Sequence, residues 1–189
     1  TGAQNTALGY LSLYLNTTAS YNTSVGVSSM QSNTTGAKNT SVGYGALTSN
    51  TTGTENVVVG EVALDANTTG NYNTAIGRHA LSSNTTASNN TAVGRNAMGD
   101  NTTGYDNVAV GRNALDANVG GHSNTALGES SLTSNTEGDR NVAVGQNALA
   151  INSTGGSNVA VGRGALDANT TASNNTAVGD LAATALTTG

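Results

Sequence analysis

The apolar and polar positions of this chain recur with a period of 17 residues, from a first copy at Asn5 to the last at Asn175. Each unit reads Asn, Thr or Val, a small residue, an aliphatic residue and Gly, then two variable positions, Ala or Ser, and Leu or Met. Two more variable positions, Asn-Thr-Thr-(Gly/Ala) and a final variable pair complete it, and Asn90 to Asp106 is the clearest copy. Copies begin at 5, 22, 39, 56, 73, 90, 107, 124, 141, 158 and 175 without an insertion, so residues 1–189 are read as a single repeat array. Thr1-Gly2-Ala3-Gln4 matches the end of a unit (compare Thr35-Gly36-Ala37-Lys38), which predicts a segment of a longer fibre.

A unit of this length is too short for a helical hairpin and carries a turn sequence in every copy, so stacked helices are excluded. Thr and Val favour strands, while Gly and Asn supply the backbone conformations that corners need. The pattern predicts an all-β fold, a parallel β-solenoid of eleven coils. Each coil would hold one strand at unit positions two to four, a bend at the Gly of position five, and a second strand over positions seven to ten. Coils in parallel register place like residues about 4.8 Å apart, so eleven of them make a rod roughly 50 Å long. The Asn of position one then forms a column of amides able to hydrogen-bond along the stack.

Sizeable aliphatic groups occupy position four (Val42, Val59, Ile76, Val93, Val110) and position nine (Leu47, Leu64, Leu81, Met98, Leu115). Two such side chains cannot offset the entropy of ordering a coil, so a lone coil does not hold. On this reading position four points into the coil, and position three (Ala75, Ala92, Ala109, Ala126) faces the other way. A strand apolar on both faces is normally covered on both. The chain has no spare element to do so, and the expected cover is another copy of itself, with cyclic symmetry.

Composition sharpens this picture by exclusion. Aromatic content is 3% with no Phe or Trp, and Pro and Cys are absent against 25 Gly, which argues against one compact core and removes disulfides. Six Lys and Arg stand against eleven Asp and Glu, with no basic stripe for a phosphate backbone, so nucleic acid is not an expected partner. There is no apolar run long enough to cross a bilayer and no signal peptide in this span; membrane insertion of this segment is not expected.

Asn-Thr-Ala-Val-Gly-Arg-Asn-Ala-Met at 90–98, with its copies at 107–115 and 141–149, resembles the head repeats of trimeric autotransporter adhesins of the YadA-like type. The same style of repeat occurs in phage and bacterial tail-fibre-like proteins. The resemblance spans essentially the whole chain, although the unit here is longer than the roughly 14 residues usual in such heads. It implies a left-handed parallel β-roll assembled as a homotrimer, in an extracellular or cell-surface fibre or a virion tail fibre. It implies attachment or spacing and no catalysis.

Candidate sites were sought column by column. Position six carries three successive arginines, Arg78, Arg95 and Arg112, flanked by Glu61 and Glu129, a candidate surface patch for a host glycan or protein receptor. Asn16, Asn33, Asn50, Asn67, Asn84, Asn101 and Asn169 each begin Asn-Thr-Thr, the acceptor pattern for an N-linked sugar, though the same residues are good turn formers. Asp65, Asp116 and Asp167 share position ten but stand three coils apart, roughly 14 Å, beyond the reach of a glycosidase pair. His79 and His122 occupy different columns and predict no metal site, and no cofactor is expected. Tyr10, Tyr14, Tyr21 and Tyr44 cluster near the start as a binding patch or a packing surface. The expected function is therefore a non-catalytic structural and adhesive fibre. The alternatives are an ice- or crystal-binding solenoid, from the Thr columns at positions thirteen and fourteen, and a glycan-binding or glycan-cleaving tailspike-like fibre.

Overall fold

The computed structural model describes residues 2–187. They form a parallel β-solenoid without helices, its eleven three-residue strands separated by ten complete windings. The strands are β1 (Thr6–Leu8), β2 (Thr23–Val25), β3 (Thr40–Val42), β4 (Val57–Val59), β5 (Thr74–Ile76) and β6 (Thr91–Val93). They continue as β7 (Val108–Val110), β8 (Thr125–Leu127), β9 (Val142–Val144), β10 (Val159–Val161) and β11 (Thr176–Val178). All lie in one sheet in sequence order and pair in perfect repeat register, Ala109 against Ala92 and Ala126.

The expected second strand does not form. Positions seven and nine both hold left-handed backbone, as at Asn113 (φ 55°) and Leu115 (φ 53°), so the chain curls through an arc of turns instead of extending. That arc is still laddered to its neighbours: Asn113 N donates to Arg95 O (3.0 Å) and Leu115 N to Ser131 O (2.9 Å). At position five the bend needs glycine. Gly77 has φ 134°, and a methyl built there would sit 2.5 Å from the Gly94 carbonyl oxygen.

The two faces of the strand are the reverse of expectation. Position three points inward, with Ala75, Ala92, Ala109 and Ala126 fully buried, and position four points outward, with Val110 39% exposed. The physical reason is width. The interior is filled by the residue of position nine, such as Leu115 and Met98, both fully buried, which leaves room at positions three and eight for small side chains, Ala or Ser in every coil but one, where Val58 is buried.

Candidate functional site

Two columns of asparagine, buried except at the first coil and at Asn175, run the length of the rod. At position one, Asn124 Nδ2 donates to Gly138 O (2.8 Å), and its Oδ1 accepts from the backbone N of Asn141 (2.9 Å). At position twelve, Asn101 Nδ2 donates to Asn84 Oδ1 (3.0 Å) and to Gly104 O (2.9 Å). Each amide thus satisfies polar backbone that the corner buries. The ladder stops after Asn169, whose Oδ1 has no partner, because Leu186 holds position twelve in the next coil.

This places the seven Asn-Thr-Thr asparagines. Asn33, Asn50, Asn67, Asn84, Asn101 and Asn169 are fully buried with their amide nitrogens in use, and Asn16 is half-buried and donates to Ala19 O (3.2 Å). Asn118 and Asn135 make the same two bonds without belonging to an acceptor pattern. The position is held by ladder chemistry, and the folded rod does not present the nitrogens of the six buried asparagines to a sugar transferase.

The exposed columns are different in kind. Arg78, Arg95 and Arg112 all stand in solvent on successive coils, but the run is pulled apart by acids at its two ends. Arg78 Nε meets Glu61 Oε2 (3.2 Å), one coil before, and Arg112 pairs with Glu129, one coil after. Further along the same column, Arg163 is held by both oxygens of Asp180 (2.9 and 3.0 Å). Arg95 is left between two guanidiniums that lean away from it, without an acidic partner among the described residues.

Burial pushes the Asp65 and Asp116 carboxyls above the ordinary range, with Asp100 adding to the effect at Asp116. They remain three coils apart, and no pocket opens among the described residues. No group of three or more His, Cys, Asp or Glu able to hold a metal occurs among the described residues. His122 is half-buried. It stacks on Tyr105 with ring centroids 4.7 Å apart, and its Nε2 lies 3.2 Å from Asp139 Oδ2. These three share position sixteen on consecutive coils, a signal the sequence carried once its columns were written out. The tyrosines near the start, Tyr10, Tyr14, Tyr21 and Tyr44, are all exposed.

One uncovered feature runs the length of the rod, and the sequence assigned it to the wrong columns. The outer face of the sheet presents Thr or Val at position two and a branched aliphatic at position four on every coil; Leu8, Val42, Val59, Ile76, Val110, Leu127 and Val178 are all exposed. These features define a β-solenoid repeat protein whose uncovered sheet face sets an aliphatic column beside a Thr/Val column. Compared with family models, curated proteins and solved structures, the chain matches none.

Proposed function

We propose that this chain is a segment of a non-catalytic structural and adhesive fibre, extracellular, on a cell surface or on a virion, built from three parallel copies in left-handed coils. The observation that carries the reading is the outer sheet face, where aliphatic side chains stand exposed or half-exposed along the whole rod. A contiguous apolar strip of this length marks an interaction surface, and a second copy carries the same strip at the same spacing. The resemblance to trimeric adhesin heads supports three copies and the hand of the coil. Attachment then comes from many weak contacts repeated along the rod and multiplied by the oligomer. The variable exposed columns, including Arg78, Arg95 and Arg112, are where a glycan or protein receptor would be met.

Light scattering on the intact chain tests this: the proposal expects three chain masses, persisting on dilution. Val93→Asp with Val110→Asp, which charges the outer face, should release monomers. A parent chain that is a folded monomer at every concentration overturns it.

One observation favours a second reading, an ice- or crystal-binding solenoid. The Thr hydroxyls of position thirteen donate within the rod, Thr34 Oγ1 to Thr51 O (2.9 Å) and Thr51 Oγ1 to Thr68 O (3.0 Å), so their protons are not offered to water. The Thr and Val rows of positions two and four are regularly spaced on one sheet and would do so if left bare. That reading requires a monomer and predicts thermal hysteresis.

A further inference from the structure

The edges of the sheet carry more information than its face. Position seventeen immediately precedes each coil and position six immediately follows its bend, so these two exposed columns flank the strands on opposite sides. In a cyclic assembly with sheet faces toward the axis, one edge of each chain lies beside the opposite edge of the next, with no axial offset.

Resting on the homo-oligomer reading above, we propose that position six of one copy meets position seventeen of its neighbour, with Arg95 and Arg112 facing the neighbour's Asp106 and Arg140 facing the neighbour's Glu129. A coil climbs about 4.8 Å, so each position-six residue lies between two residues of the neighbouring column, roughly 2 Å below and 3 Å above it. Both are within the reach of an arginine. Arg95 falls between Asn89 and Asp106, Arg112 between Asp106 and Ser123, and Glu129 between Ser123 and Arg140.

The ion pairs within one chain fit this arrangement. Lys38, Arg78, Arg112 and Arg163 have acidic partners in their own chain; Arg95 and Arg140 have none among the described residues, and Asp106 has no cationic one. The edge-to-edge contact brings the two unpaired cations to acids and the unpaired Asp106 to arginine. One like-charge approach results, Glu61 beside Glu55, and both are already neutralised within their own chains by Arg78 and Lys38. A two-fold contact of position six with itself would instead bring the Arg78–Arg112 run against its own copy.

The chain has no cysteine, so designed disulfides report this contact directly. Arg95→Cys with Asp106→Cys, and separately Glu129→Cys with Arg140→Cys, are oxidised as intact oligomers and run without reductant. The proposal expects most chains in either double variant to shift to covalently closed oligomers, while Arg95→Cys alone stays at the single-chain position. Two results overturn it while leaving the homo-oligomer reading standing: the parent is oligomeric but neither pair cross-links, or Arg95→Cys alone forms dimers. A monomeric parent overturns both.

Discussion

The first three coils and those from Val57 onward solve the same packing problem with different chemistry. In the early coils positions three and eight hold Ser12, Ser24, Ser29 and Ser41, whose hydroxyls form a chain: Ser12 to Ser24 (2.8 Å), Ser24 to Ser29 (2.9 Å) and Ser29 to Ser41 (2.9 Å). It ends on the Ala46 carbonyl (3.0 Å). In the later coils those positions begin with Val58 and Ala63 and continue as Ala75, Ala80, Ala92, Ala97 and their successors, fully buried as far as Ala165. Backbone course and strand register do not change between the two. The core therefore selects small side chains, Ser and Ala being close in size and Val58 the largest admitted, and polarity is tolerated wherever a hydroxyl finds an acceptor. Ser131 makes the point alone among alanines, donating to Gly128 O (2.9 Å).

The strongest way to break this comparison is to attack what both stretches share. Asn39→Leu in the hydroxyl stretch and Asn124→Leu in the alanine stretch each leave a buried backbone N–H, Asn56 N or Asn141 N, without its acceptor, and remove one of the two donors to a buried carbonyl, Gly53 O or Gly138 O, which Asn50 or Asn135 still bonds. Each should cost about 2–4 kcal/mol in denaturant unfolding, and equally; a marked difference means that the ladders are not equivalent. Ser29→Ala removes one link of the hydroxyl chain while leaving its neighbours backbone acceptors, Ser29 O and Ala46 O, and should cost about 1 kcal/mol in the same assay.

A titration separates core from corner. Burial raises the Asp116 carboxyl, so the folded coil binds its proton more tightly than the unfolded chain does. Stability then declines as pH rises from the ordinary carboxylate range through the raised value, and recovers on acidification. Asp116→Asn should unfold at higher denaturant than the parent at neutral pH, with the difference vanishing in acid; the effect is modest because the group is half-buried. Smallest of all, Ala97→Ser can copy the bond of Ser131 by donating to Gly94 O, and should leave stability within about 0.5 kcal/mol.

Much of this architecture was legible in the residues. The period, the parallel register, the Gly bend and the position-one asparagine ladder all follow from identity recurring at fixed spacing. The direction of the strand faces did not follow, because Ala and Val are both apolar and the larger was placed inside. Position two held the missing clue. It is Thr in Thr74, Thr91 and Thr125, it shares a face with position four, and a half-polar column belongs outside. The absent second strand was also signalled, since Asn96, Asn113, Asn147, Gly45 and Gly164 at position seven favour left-handed backbone. The candidate arginine patch was visible as a column, but its division by Glu61 and Glu129 depends on which way long side chains lean.

The central claim is that the outer sheet face is covered by sister chains. Val110→Cys places a thiol on that face, and Thr86→Cys places one on an exposed corner of the same rod, away from both the sheet face and its flanking columns. Reaction with a polar maleimide should be at least about tenfold slower at the first site than at the second in the native particle, and equal after unfolding. Equal rates in the native particle would show the face bare and contradict the account.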